Sequence, residues 1–479
     1  MTNTSDLAPE EYARHAHRLA DWIATYLRDV EQYDVLSSVT PGAIRAQLPK
    51  SPPAGAESLD DIIADLDRIV LPGATHWNHP GFLAYFANTA SVPGILGEMV
   101  IAALNLNGML WRTSPVATEL EQVVTDWLRQ LFGMGDGWFG MITDTASIST
   151  MYALAAARER DPALGIRQRG MAGRADLPRL RVYCSEHAHS SVDKAAMTLG
   201  LGLENVVHVA SDGDFRLRPD MLARAIQADR AQGYRPLAVV ATAGTTSMTS
   251  VDPISDIATI CRRESLWLHV DGAYGGSAMA VPEMRPMFAG IDLADSVVVN
   301  PHKWLFTPMD CSVLFTRQPA VLRRAFSLVP EYLTTQDGDQ VVNYMDYGLQ
   351  LGRRFRALKL WMVVRAFGSD GIADRIRHHC QLARTFAGWV NAEGNGWQVC
   401  APVPFSTICF RHVPEGETGE LEIAEHNAAI MARVNESGKV FISHTKLGDQ
   451  YVLRVAIGNL RTTEATLATA WSLLRSAGR

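Results

Sequence analysis

Lys303 is the residue best placed for covalent chemistry in this sequence. It follows Asn300-Pro301-His302, and these follow the apolar run Ser296-Val297-Val298-Val299. A short run of β-branched residues reads as a buried strand. Pro301 lacks a backbone donor and ends it. The lysine is thereby delivered to a strand end, where ligands of open α/β sheets collect. Beside Trp304, Leu305 and Phe306 its charged form is disfavoured, as an imine-forming lysine requires. Taken alone, the motif fits a solvated loop lysine equally well.

A second strand, Leu266-Trp267-Leu268-His269-Val270, ends in Asp271 and the glycine-rich Gly272-Ala273-Tyr274-Gly275-Gly276. A carboxylate at the end of a buried strand is costly unless it has a partner. Pyridoxal 5'-phosphate supplies one, because an acid beside the pyridine nitrogen keeps it protonated and makes the ring an electron sink. An N-cap or turn role for Asp271 is the plainer alternative. A phosphate needs a helix start with free N–H groups. Thr143-Asp144-Thr145-Ala146-Ser147, ahead of the helix-like 148–158 segment, has that form, although Ser147 reads equally as an ordinary N-cap.

With these blocks in order, the chain resembles the group II pyridoxal-phosphate decarboxylases, and within them the aromatic L-amino acid decarboxylases. The resemblance runs from about Tyr12 to the C-terminal segment. It also rests on Thr75-His76-Trp77, Ser114 to Glu121, Ala188-His189-Ser190-Ser191-Val192, Asp310-Cys311-Ser312 and Leu351 to Arg356. It implies that Thr145, Ala146 and Ser147 hold the phosphate with Asn300 and His302. It implies further that His189 stacks on the ring, that Thr246 and Ala273 border it, and that Tyr332 protonates Cα from a polar loop. Trp77, Tyr85 and Phe86 would line the substrate pocket, with His189 and Gly352, and Asn107 and Met109 would reach in from a partner subunit. The chain departs from the family at Asp144, where a glycine is usual, and at Ile148, where a glutamate is usual. An acid near a phosphate is expected to point away or to pair with a cation.

The elements that must position these residues follow from periodicity. From Ala8 to Val30, Tyr12, Ala16, Leu19, Trp22, Ile23, Tyr26, Leu27 and Val30 recur at helical spacing. Two shorter helical segments follow, after Thr40-Pro41 and around 59–70. Three helices without strands must pack on something else: on the partner of a homodimer, as the resemblance implies, or on their own main domain. Between 86 and 360, strand candidates at 180–184, 206–209, 237–242, 266–270, 296–299 and 311–315 alternate with helix-like stretches, which argues for a mostly parallel sheet covered on both faces. The tail has strand candidates at 406–410 and 451–457. The expected fold class is α/β, of the aspartate aminotransferase fold type I. The expected division is a helical dimerisation arm (1–85), a large cofactor-binding domain (86–360) and a small α+β domain (361–479).

Composition sets the bounds. An apolar content of 47% supports a large core, and a net charge of −7 speaks against nucleic-acid or anionic-membrane partners. The six cysteines are scattered without metal-ligand spacing, so no metal is expected. No apolar stretch is long enough to cross a membrane and no signal segment is apparent. A cytoplasmic enzyme is the expectation. The expected reaction is decarboxylation of an aromatic L-amino acid to its amine, because aromatic walls suit a flat side chain. Three rivals are an aldehyde-forming oxidative variant, decarboxylation of histidine or an acidic amino acid, and a catalytically silent protein on the same fold. A nicotinamide dehydrogenase lacks its GxGxxG fingerprint here.

Overall fold

In the computed structural model, residues 6–328 and 340–479 are described. Seven strands form the large sheet: β1 (Phe139–Thr143), β2 (Leu180–Ser185), β3 (Val206–Val209), β4 (Arg235–Thr242), β5 (Trp267–Asp271), β6 (Ser296–Val299) and β7 (Ser312–Thr316), in the order β1-β7-β6-β5-β4-β2-β3. Neighbours from β3 to β6 pair in parallel, while β7 runs antiparallel to both β6 and β1. Both faces are buried, so these strands carry apolar side chains at successive positions. Val239, Ala241, Val297 and Val299 join one core, and Ala238, Val240, Val182 and Leu314 the other.

The smaller sheet is antiparallel, β10-β11-β9-β8, from β8 (Trp397–Val399), β9 (Thr407–His412), β10 (Ser443–Leu447) and β11 (Gln450–Ala456). The segment ahead of the large sheet reaches this layer: Leu83 N–H donates to Phe441 O, and Ala456 N–H donates to Leu83 O. A long helical stretch, Ala357–Glu393, links the two sheets and breaks at Gly368, whose φ of 65° is favourable only for glycine.

Every strand expected from the sequence is present. Three more were not expected. Among them, β10 is Ser-His-Thr-Lys-Leu, with no apolar run; its pairing with β11 makes it a strand. Pro301 opens a short helix, Pro301–Trp304, where the missing N–H costs nothing.

Candidate active site

The carboxyl ends of β1, β2, β4, β5 and β6 lie along one edge of the large sheet, and a cavity of about 370 Å³ opens there. Tyr85, Phe86, Thr145, Ala146, Ser147, His189, Thr246, Asp271, Ala273, Asn300, His302 and Lys303 all line it. The strand ends therefore bring together twelve residues spread over more than two hundred positions of sequence.

Lys303 sits on the short helix after β6, its Nζ 5.2 Å from the centre of the Phe86 ring. Burial lowers its proton affinity, Asp271 opposes this, and the cation of Arg454 adds to it. Asp271 is buried at the end of β5. Its Oδ1 accepts from Ala273 N–H at 3.0 Å, and Oδ2 has no hydrogen-bond partner among the described residues. His189 Nδ1 accepts from Ser191 N–H at 3.1 Å, so in the neutral ring Nε2 carries the proton. Burial holds this ring below the usual histidine range, against the pull of Asp271.

At the other end, Thr145 caps the 146–159 helix, and the amides of Ala146 and Ser147 make no main-chain hydrogen bond. His302 Nδ1 accepts from Cys311 N–H at 3.0 Å, which leaves an Nε2–H donor in the neutral ring. Burial pushes its pKa down to about 3, so the ring is neutral. Asn300 is buried with an unpartnered Oδ1. Ala273 packs with Ala146 and Val298. A helix start with free amides, a neutral donor imidazole, a carboxylate oxygen without a partner and an amine of lowered basicity fit the phosphate, ring nitrogen and aldehyde of pyridoxal phosphate.

The back wall is a column of rings. Phe86 stacks on Tyr274 (3.8 Å between centroids), Tyr274 on Trp304 (4.6 Å), and the Trp304 indole donates to His379 Nδ1 at 3.0 Å. The tryptophan of the lysine motif is therefore a buried strut.

Residues 41–413 match the pyridoxal-dependent decarboxylase conserved domain. The chain belongs to this family. Among individual relatives of this decarboxylase is tyrosine decarboxylase 3 of Petroselinum crispum, 40% identical over 98% of this chain and 92% of that one. A phenylacetaldehyde synthase of a Rosa hybrid cultivar is 38% identical over 98% of this chain and 94% of that one. The structure of Oryza sativa TDC with PLP and tryptamine superimposes with a TM-score of 0.94, at 34% identity, covering 99% of both chains. The decarboxylase therefore has the type I fold and uses pyridoxal phosphate.

Not every expected residue meets the cavity. Trp77 stands behind its wall, stacked on Phe82 at 4.2 Å and next to Tyr85. Asn107, Met109 and Gly352 do not line the cavity of their own chain. Tyr332 lies outside the described residues. Conversely, Arg454, Tyr274, Met309 and His444 line it and were not expected. Arg454 on β11 is buried and donates to the main-chain oxygens of Tyr85, Thr246 and Ser247. Its signal was an arginine inside the apolar run Tyr451-Val452-Leu453-Arg454-Val455. Asp144 pairs with Arg356 at 2.7 Å, as an acid near a phosphate site must.

Proposed function

We propose that the protein decarboxylates an aromatic L-amino acid to the primary amine and carbon dioxide. The observation that carries this is the convergence of Lys303 and Asp271 on one cavity to whose wall Tyr85 and Phe86 contribute aromatic rings. The one guanidinium in that cavity, Arg454, has three of its five donors on main-chain carbonyls and lies 4.7 Å over Phe86. A flat apolar side chain fits there better than an acidic one.

Bound pyridoxal phosphate supplies a conjugated ring that accepts the electrons of a broken Cα bond. Lys303 would hold it, and the free Asp271 oxygen would accept from the ring nitrogen. Thr145, Ala146, Ser147, Asn300 and His302 would hold the phosphate, with Thr246 and Ala273 flanking the ring. His189 would offer Nε2–H to the cofactor without adding charge, and Tyr332 would deliver the proton to Cα.

The active form we infer is a homodimer divided into the arm 1–85, the large domain 86–360 and the small domain 361–479. On the helix Val92–Leu104, Val92, Leu96, Met99, Val100 and Leu104 are large, apolar and exposed. Such a patch marks a protein partner. The arm helix Pro9–Asp29 buries only His15 in its own chain. Asn107, Met109 and Gly352, absent from their own cavity, would then meet the partner's substrate. A reducing cytoplasmic compartment suits six unpaired cysteines, and no described helix is long and apolar enough to cross a membrane.

The second reading, an aldehyde product, is favoured by the likeness to phenylacetaldehyde synthase. One panel separates the two: aromatic amino acids are offered, and amine, aldehyde and peroxide are measured together. Amine is expected, with no oxygen uptake. In Tyr332→Phe the output should shift towards aldehyde, ammonia and peroxide, with oxygen consumed. An unchanged amine yield would assign the proton to another group, His189 first.

A further inference from the structure

Asp144 occupies the turn between β1 and the helix that would hold the phosphate, and both of its carboxylate oxygens meet the segment after Tyr347. Oδ1 lies 2.7 Å from Arg356 Nη2, and Oδ2 accepts from Gln350 Nε2 at 2.9 Å. Arg356 is fixed on its other side by Asp310, with contacts of 2.9 and 3.1 Å. Gln350 and Arg356 bracket Gly352 and Arg353, and this short stretch is joined to the loop carrying Asn107. Arg353 N–H donates to Asn107 Oδ1 at 3.0 Å, and Gly108 N–H donates to Arg353 O at 2.8 Å. A Cβ on Gly352 would have the Asn107 amide as its nearest neighbour, at 3.9 Å. Residues 107–109 and 350–356 are therefore one ledge. It leaves its own cavity untouched, carries the exposed Leu351 and follows directly on the exposed Leu349.

We propose that Asp144 is a positioning residue that ties the phosphate loop of one protomer to the ledge forming part of its partner's substrate pocket. This rests on the dimer proposed above, in which Asn107, Met109 and Gly352 cross the interface. The acid then has a role across the interface: it sets the ledge through Gln350 and Arg356, and the substrate in the other site feels the result.

Hybrid dimers test this directly. One protomer carries Lys303→Ala, so turnover arises in the other. With Asp144→Asn on the Lys303→Ala chain, the working site receives its ledge from the altered protomer. KM for the best aromatic substrate should rise about fivefold to tenfold, the loss expected for a charge-assisted contact. Affinity for phenethylamine, measured as competitive inhibition of that turnover, should fall by the same factor. In the same hybrid, kcat and the dissociation constant of pyridoxal phosphate should hold within about twofold, since the contact sets position and not chemistry. With Asp144→Asn on the working chain, KM should match wild type. Asp144→Ala carries the same expectation if the asparagine variant folds poorly. A KM rise confined to the working chain, or none in either hybrid, overturns the proposal. A monomer in sedimentation also overturns it, by removing the interface while leaving the decarboxylase assignment intact.

Discussion

The residues proposed to meet the cofactor were legible because each follows an apolar strand or opens a helix. Lys303, Asp271 and Thr145–Ser147 announce themselves that way, and the strands set them on one edge. Arg454 was not legible, because which side of the small sheet faces the cavity depends on long-range register. At this scale the sharpest expectation concerns Lys303. Burial and the Arg454 cation both lower its proton affinity, and the Asp271 carboxylate opposes them. Its amine should therefore be the one that reacts. Borohydride reduction followed by peptide mapping should put the pyridoxyl group on Lys303, and Lys303→Ala should lose the visible absorption band. A label on any other lysine would overturn the assignment.

Among elements, β-branched runs were read correctly as strands, whereas the polar β10 and the reversed direction of β7 depend on neighbours that a local window does not contain. The block around Arg353 shows what such windows hide. Arg353 makes two contacts with Glu121, at 2.7 and 3.2 Å, and donates to Ile142 O, while Glu121 accepts from Ile142 N–H. Both side chains are buried, so the 115–131 helix, β1 and the segment after Tyr344 are joined by one ion pair. Removing one member leaves the other charge buried and unpaired. Arg353→Met should cost about 3–5 kcal/mol, and adding Glu121→Gln should recover part of it. Chemical denaturation of the three variants, compared with wild type, measures this. Equal midpoints for wild type and Arg353→Met would show the pair to be dispensable.

For the whole molecule, the two sheets could be anticipated from the helix–strand alternation of 86–360 and the separate strand candidates of the tail, but the return of residues 81–83 to the small sheet could not. That pairing joins positions more than 350 residues apart. Acid tolerance is also a property of the whole. Burial pushes His269 down to about 4 and His379 to about 3, while Asp252, buried on the Leu217 and Thr242 amides, is pushed up to about 6. Below pH 6.5 the unfolded chain binds protons that the two folded histidines refuse, so their contribution is lost as pH falls towards 4. Asp252 works in the opposite sense between pH 6 and 4. Two against one leaves a net loss of roughly 1.4 kcal/mol per pH unit from these groups. The denaturation midpoint should fall between pH 6.5 and 4.5, and His379→Gln should flatten the slope. A midpoint independent of pH would show that other groups compensate.

Arg454 also bears on when the cofactor can be captured. All seven strands of the large sheet precede residue 317, so that layer can assemble while the chain is still being made. The cavity, however, is closed by Ser443, His444, Thr445 and Arg454, and Arg454 alone fastens Tyr85 to Thr246 and Ser247. A nascent chain several hundred residues long thus has Lys303 and Asp271 in place but lacks one side of the pocket. Tight capture of pyridoxal phosphate belongs to the finished polypeptide, after release from the ribosome, and chains truncated before β11 should turn over in the cell as apoprotein.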